Sequence, residues 1–207
     1  MVVGAVIKWF ASPDFAPVGL TWDGKTLWHC DSNTDRIYQI NPITGAVIKW
    51  FASPGTVPQG LAWDGKTLWH ADSNVDRIHQ INPVTGAVIK WFVSPSTAPR
   101  GLTWDGKTLW NADAAAVRIY QLNPITGATI KSFVSPGNDP RGLTWDGETL
   151  WNCDILSDRI YQINPITGAT IRWFAAPDLN PIGLAWDGKT LWVATDNLNR
   201  IYQLETH

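Results

Sequence analysis

The sequence predicts an all-β fold built from five repeated units, and two observations lead to this prediction. One unit recurs along nearly the whole chain, and its Gly-Leu pair falls at Gly19, Gly60, Gly101, Gly142 and Gly183, so that each copy begins 41 residues after the one before it. Within a copy, short strand-forming runs alternate with turn residues, and no helical spacing of apolar residues is sustained. Repeats of about 40 to 45 residues with four strands each are typical of β-propeller blades. We therefore predict a five-bladed β-propeller with four antiparallel strands per blade.

Each strand of the blade has local support in the first copy. A short apolar run ends at Asp23-Gly24, a dipeptide that favours a tight hairpin turn. The next two runs are rich in Thr, Trp, Ile and Tyr, which fit a pleated sheet. The turn Asn41-Pro42-Ile43-Thr44-Gly45 follows, because Pro fixes φ and Gly supplies conformational freedom. A linker with two prolines, Pro54 and Pro58, then leads to the next copy. The predicted strands are 19–22, 26–31, 36–41 and 46–51.

The two ends of the chain together supply the fifth unit. Residues 4–10 match residues 45–51, which form the last segment of a copy, whereas the final copy stops before that segment. We therefore expect the N-terminal strand to complete the last blade and close the ring in a 3+1 arrangement. The whole chain, 1–207, is then one domain. Its blades are expected at 19–52, 60–93, 101–134, 142–175, and 183–204 together with 4–11.

The repeat also resembles a known group of propellers over essentially the entire chain. Its pattern, PxGLxWDGxxLWxxDxxxxRIYQINPxTGxxIxxF, is written out in residues 58–92. This pattern is similar to the NHL, YncE-like and glutamine-cyclotransferase-like propeller repeats. The resemblance implies a propeller fold, and such blades support ligand binding, protein and RNA recognition and a few enzyme activities. The number of copies differs from that of the six- or seven-bladed members.

Charge and composition narrow the expected partners. The formal net charge is -2 and the pI is near 6.0, so there is no basic surface that would predict binding to nucleic acid or to an anionic membrane. We expect a monomer. Cys30 and Cys153 occupy the same repeat position in two separate blades, where other copies have Ala. We expect both to be small buried residues without a disulfide, because a whole sheet would separate them.

The differences between copies collect at one end of the predicted blades. The Asp-Gly and Asn-Pro turns hardly vary, whereas the linkers between blades and the loops between second and third strands vary freely. Both variable connections lie at the same end of an up-and-down blade, and loops on a rigid scaffold commonly carry recognition. We therefore predict a binding or interaction module whose ligand is a peptide, a protein or a small molecule. The candidate binding residues at the channel mouth are Val18, His29, Gln59, His70, Arg100, Asn111, Arg141, Asn152, Ile182 and Val193.

The same second-strand residues could form either a metal site or a structural contact. His29 with Asp31, and His70 with Asp72, offer ligands that zinc accepts. The corresponding Asp remains in copies three and four, where the His has become Asn. This favours an Asp that closes the following loop by accepting backbone hydrogen bonds, and we predict no metal and no cofactor.

The sequence also bears on three further functional classes, which are a lectin, a scaffold without a ligand and an enzyme. The 14 Trp residues would suit a sugar-binding lectin, although most are expected to pack between blades, and only Trp9, Trp50, Trp91 and Trp173 lie on the predicted outer strands. The near identity of the copies favours a scaffold without a selected ligand. The sequence shows no recognisable catalytic triad, carboxylate pair or phosphate-binding loop, so we expect a protein that is not an enzyme.

Overall fold

The computed structural model describes residues 3–206, and these residues form twenty β-strands in five four-stranded sheets. Every pairing within a sheet is antiparallel. Residues 3–206 contain no helix with the length and apolar character needed to cross a bilayer. The predicted all-β architecture of five four-stranded blades is confirmed.

The strands of the first four blades follow one another in sequence, from the centre outwards. The first blade contains β2 (Pro17–Trp22), β3 (Leu27–Asp31), β4 (Arg36–Ile40) and β5 (Val47–Ala52). The second contains β6 (Pro58–Trp63), β7 (Leu68–Asp72), β8 (Arg77–Ile81) and β9 (Val88–Val93). The third contains β10 (Pro99–Trp104), β11 (Leu109–Asp113), β12 (Arg118–Leu122) and β13 (Thr129–Val134). The fourth contains β14 (Pro140–Trp145), β15 (Leu150–Asp154), β16 (Arg159–Ile163) and β17 (Thr170–Ala175).

The fifth blade is assembled from both ends of the chain. Its inner three strands are β18 (Pro181–Trp186), β19 (Leu191–Thr195) and β20 (Arg200–Leu204). The outer strand is β1 (Val6–Ala11), which pairs antiparallel with β20 and places Trp9 opposite Tyr202. The N-terminal strand thus covers an edge of β20 that would otherwise be unpaired.

The innermost strands begin earlier than the sequence predicts. Strand β2 starts at Pro17 rather than Gly19, because Pro17 still lies opposite Asp31 even though the register shifts before Leu20. Such a shift is a β-bulge, which inserts an extra residue and bends the strand locally. The same irregularity recurs in every blade. The residue between Pro and Gly lies within this bulge and lines the cavity at the centre of the ring.

The hydrophobic core consists of five clusters that lie between neighbouring blades. In one cluster, Trp28 and Ile37 of the first blade pack with Leu61 and Leu68 of the second. An equivalent cluster joins the fifth blade to the first, so the ring of blades is continuous. The five second-strand tryptophans are at most 2% exposed, and burying such large rings supplies much of the apolar area that holds blades together. They are Trp28, Trp69, Trp110, Trp151 and Trp192.

A buried polar network fixes the turn between the first two strands of each blade. The Asp23 carboxylate accepts hydrogen bonds from the Thr26 hydroxyl at 2.6 Å and from the Trp28 indole at 2.8 Å. The Gln39 amide donates to the Thr26 hydroxyl at 2.8 Å. Burial opposes ionisation of Asp23, but the hydrogen bonds from Thr26 and Trp28 outweigh it and lower the pKa of the carboxyl. The network repeats in all five blades and thereby links the core Trp to the turn.

The glycine of each Pro-x-Gly allows the innermost strands to approach closely. A Cβ atom added to Gly19 would lie under 3.0 Å from the Gln59 carbonyl oxygen on the neighbouring strand. Equivalent clashes with the next inner strand would occur at Gly60, Gly101 and Gly142, and Gly183 would clash with the Val18 carbonyl oxygen. Five inner strands can therefore form this tight ring only with glycine at these positions.

Candidate binding site at the channel mouth

The variable connections form one surface, which we call the loop face. Ala16 in the linker donates its N–H to the Asp31 carboxylate at 2.9 Å, and Ser32 donates its N–H to the Ala16 carbonyl at 3.0 Å. Ser53 of the next linker donates to the Asp35 carbonyl at 2.7 Å. Each loop is thus tied to two linkers, and the loop face is continuous around the ring. Its segments are 12–16, 32–35, 53–57, 73–76, 94–98, 114–117, 135–139, 155–158, 176–180 and 196–199.

Five of the ten predicted site residues meet at the centre of the loop face. They are the variable residues of the Pro-x-Gly segments, and they line one cavity together with the Gly-Leu pairs that follow them. We call this set the channel mouth: Val18, Gln59, Arg100, Arg141 and Ile182.

The channel below the mouth is too narrow to admit an organic ligand. The inner strands of non-adjacent blades, such as β2 and β10, approach within 8 Å between Cα atoms. The cavity lined by the channel-mouth residues and the Gly-Leu pairs has a free volume of ≈ 10 Å³, which is on the scale of a single water molecule. Any larger ligand must therefore lie above this cavity, against the outward parts of the variable side chains and the surrounding loops.

The channel mouth is polar on one side and apolar on the other. Gln59, Arg100 and Arg141 lie on three successive blades, whereas Ile182 and Val18 lie on the next two. Within residues 3–206, the one ion pair joins Arg141 Nη2 to Asp139 Oδ2 at 2.9 Å, and Arg100 has no such partner. The buried Nε atoms of both arginines also lack hydrogen-bond partners in this part of the chain. Burial lowers the pKa of Arg100 and the neighbouring Arg141 lowers it further, yet guanidinium remains charged in proteins.

The other five predicted site residues do not line this cavity. His29 is fully buried, and its ring nitrogens lie 3.2 Å from the Gly19 carbonyl oxygen and 3.2 Å from the Ser12 hydroxyl. Burial lowers the pKa of His29 to about 4, so the ring is neutral near pH 7. The physical reason for this placement is that the second strand is covered on both of its faces by neighbouring sheets. The equivalent residues, also fully buried, are His70, Asn111, Asn152 and Val193.

The aspartates beside these residues close loops. The Asp31 carboxylate accepts hydrogen bonds from the backbone N–H groups of Asn33 at 3.0 Å and Thr34 at 2.9 Å, in addition to that of Ala16. Its oxygens are thus engaged by backbone donors, as the loop-closing interpretation of this residue requires. Between residues 3 and 206, no cluster of three or more His, Cys, Asp or Glu side chains has a geometry suited to a metal ion.

In the fifth blade, a pair of residues that is not evident from the sequence, Thr195 and Asp178, replaces the loop-closing Asp. Thr195 stands where the other blades have Asp, and the carboxylate comes instead from Asp178 in the linker. Asp178 accepts a hydrogen bond from the Thr195 hydroxyl at 3.2 Å and another from the Asn197 amide at 2.9 Å. The signal was present in the sequence as a single Thr at an otherwise invariant Asp position.

Both cysteines are free and fully buried. The Cys30 thiol donates to the Gln59 carbonyl oxygen at 3.0 Å, across the boundary between two blades. Burial raises the pKa of Cys153 to about 12, so this thiol is not a thiolate near neutral pH. These cysteines fill small spaces behind the innermost strands.

The outer rim carries exposed tryptophans whose faces are already occupied. Trp50 is 51% exposed, and the Arg36 guanidinium lies 3.9 Å from the centre of its ring. The same stacking joins Trp9, Trp91 and Trp173 to the arginines of their blades. In the third blade Ser132 replaces the Trp, and Arg118 donates to its hydroxyl at 2.9 Å. Because the Arg covers one face of each ring, less of that ring is free to stack on a sugar.

Comparison with solved structures identifies the fold. Glutaminyl cyclase from Myxococcus xanthus superposes with a TM-score of 0.83 at 13% identity, covering 97% of this chain and 95% of that one. Virginiamycin B lyase from Staphylococcus aureus matches with a TM-score of 0.60 at 21% identity, covering 95% of this chain and 68% of that one. A chain of the nidogen/laminin complex matches with a TM-score of 0.66 at 21% identity, covering 92% and 76%. The chain is a β-propeller. The resemblance predicted from the repeat is confirmed at the level of the fold.

The expectation that this chain is not an enzyme is contradicted by the same comparison. Two of the similar structures are enzymes, a glutaminyl cyclase and a lyase, although the identities are only 13% and 21%. The sequence contains no familiar catalytic motif, but a propeller can draw its functional groups from several separate blades. Neither a protein-family model nor a curated protein sequence matches this chain.

Proposed function

We propose that this propeller is a binding module whose ligand, a small molecule or a peptide, occupies the channel mouth on the loop face. One observation carries this proposal. Five symmetry-related positions surround the mouth, and they carry Val18, Gln59, Arg100, Arg141 and Ile182, whereas the glycine and leucine beside them are the same in all five blades.

The asymmetry is informative because the fold does not require it. Each of these positions lies at the same point of an equivalent strand, so any one of the four side-chain types would satisfy the ring. Two adjacent guanidinium groups at a partly buried site carry a desolvation cost and repel each other. Placing them there with only one direct ion pair in the described part of the chain is costly for stability, which is the pattern expected when residues serve ligand binding.

The position of the mouth also suits a binding site. It is a concave point with convergent polar groups on a rigid frame, and the loops around it differ from blade to blade. This function includes both a ligand that is only bound and a ligand that is also a substrate.

A melting-temperature screen against common metabolites, sugars, amino acids and short peptides tests this function, since a ligand that binds the folded state raises its stability. We expect at least one compound to raise the melting temperature, and we expect the variant Gln59→Ile to reduce that shift. Ile43→Ser is the matched control, because Ile43 is 79% exposed in a turn at the opposite end of the blade. A screen without any hit, or hits that Ile43→Ser removes and Gln59→Ile does not, would contradict the proposed site and favour a scaffold without a ligand.

A further inference from the structure

The channel mouth holds two adjacent guanidinium groups, and only one of them has a direct ion pair within residues 3–206. Arg100 and Arg141 lie at equivalent positions of the adjacent strands β10 and β14, and both line the same cavity. Asp139 pairs with Arg141 at 2.9 Å. Two further carboxylates are close enough to interact, that of Asp113 with Arg100 and that of Asp196 with Arg141. The Asp113 carboxylate already accepts hydrogen bonds from the backbone N–H groups of Ala98 and Ala116 at 3.1 and 2.8 Å. Among the residues that the structure describes, only one direct ion pair therefore forms at the two guanidinium groups.

The hydrogen-bonding capacity of the two arginines is also incompletely used. Their Nε–H groups are buried and have no acceptor among residues 3–206. A buried donor without a partner costs free energy, and that cost is removed when an acceptor arrives. Guanidinium groups bind carboxylates especially well because two parallel N–H donors match two oxygens. The missing component of the mouth is thus an anionic acceptor.

The opposite side of the mouth restricts the rest of such a ligand. Ile182 and Val18 are adjacent in the ring and face the polar side formed by the other three residues. Val18 is only 7% exposed and belongs to a core cluster against which Ile182 packs. The partly exposed Ile182 is therefore the apolar surface that remains for a ligand. An inorganic anion such as phosphate would contact only the polar side, whereas a carboxylate attached to a compact apolar group would also contact Ile182.

We propose that the channel mouth binds a small organic carboxylate with a compact apolar group, its carboxylate held by Arg100 and Arg141 and its apolar part against Ile182. This inference rests on the proposed function, since it specifies the ligand class of the same site. The ligand lies across the top of the ring, because the cavity that the channel-mouth residues line has room for only about one water molecule.

Benzoate is a suitable probe, and benzamide is its neutral counterpart with nearly the same shape. At about ten times its Kd, benzoate should raise the melting temperature by roughly 3–5 °C for a chain of this size, and benzamide should not. Acetate and inorganic phosphate should produce smaller shifts than benzoate, because neither carries an apolar group. Equal shifts for benzoate and benzamide, or no shift with benzoate, would overturn the inference.

Two substitutions at the mouth give a second test, because they are expected to change the affinity for benzoate in opposite directions. Arg100→Gln installs the residue that the second blade already carries at this position, so the variant is expected to fold. It should lower the affinity for benzoate by about 10- to 100-fold, as the loss of a charge-assisted hydrogen bond predicts. Asp139→Asn should instead raise that affinity, because it releases Arg141 from its ion pair. Calorimetric titration measures both effects, and Lys107→Gln, an exposed change on the opposite face, is the control.

The outcomes separate this inference from the proposed function. If benzoate fails but a neutral compound binds and Gln59→Ile weakens it, the ligand class is wrong and the site stands. If Arg100→Gln and Asp139→Asn both bind benzoate with the affinity of the parent protein, the arginines do not bind benzoate and the inference is overturned. If no compound of any class binds, both are refuted.

Discussion

The two buried histidines should make the propeller sensitive to mild acid. His29 and His70 are fully buried, and burial lowers their pKa values to about 4 and about 3. An unfolded histidine titrates near pH 6.5. As the pH falls through 6.5, the unfolded chain therefore binds two protons that the folded chain does not, and acid favours unfolding.

The magnitude follows from these pKa values. Between pH 7.5 and pH 5, each histidine should reduce the free energy of unfolding by about 2 kcal/mol, or about 4 kcal/mol for the pair. For a chain of this length, this corresponds to a drop in melting temperature of roughly 8 °C or more. His79, whose pKa is also lowered by burial, should add to the effect in the same direction.

Asparagine supplies a matched control for this prediction. The third and fourth blades carry Asn111 and Asn152 at the same position, and their amides donate to the glycine carbonyls at 3.1 and 2.8 Å. The double variant His29→Asn, His70→Asn should therefore fold. In urea denaturation at pH 7.5 and pH 5, the parent should lose about 4 kcal/mol more stability than the double variant. Equal losses in the two proteins would refute the assignment of the acid sensitivity to these buried imidazoles.

Four further substitutions test other parts of the fold. Val117 has φ of 52°, a left-handed conformation that costs a β-branched residue about 1–2 kcal/mol. Val117→Asp should therefore raise the melting temperature by roughly 2–5 °C. The reverse change at an equivalent position, Asp35→Val at φ of 51°, should lower the melting temperature. Gly101→Ala should cost about 3 kcal/mol in a denaturant titration, because its Cβ would clash with the adjacent inner strand, and an unchanged midpoint would contradict the tight ring. Asp105→Asn should cost about 1–3 kcal/mol in fluorescence-monitored unfolding, because it weakens the acceptor of the Trp110 indole, and no loss would show that the network is not needed.

The fold was largely predictable because the same pattern of strands and turns recurs in five copies of the repeat. A fixed period, an Asp-Gly turn and an Asn-Pro turn in each copy are local signals, and local signals determine blades whose strands are neighbours in sequence. The starts of the inner strands were less predictable. Pro17 pairs with Asp31 across a bulge, and bulges leave little trace in the alternation of apolar and polar residues.

The candidate site was only half predictable for a related reason. Alternation along a strand shows which residues share a side of the sheet. It does not show whether such a residue lines a cavity or is buried against a neighbouring sheet. Gln59 and His70 were grouped together, yet the first lines the cavity and the second lies behind the inner strands. In the fifth blade, Asp178 supplies the carboxylate that is absent from the strand position of Thr195. This replacement could be recognised only in the structure, because the two residues are 17 positions apart in the sequence.

The central claim is that Arg100 and Arg141 at the channel mouth form the ligand-binding site. A ¹H–¹⁵N spectrum of the arginine side chains, recorded with and without benzoate, tests it most directly. The Nε–H signals of these two residues, which have no acceptor within residues 3–206, should shift on addition of benzoate. The signals of Arg36 and Arg77, which stack on rim tryptophans, should stay in place. Unchanged signals at the mouth, or shifts confined to the rim, would contradict the claim.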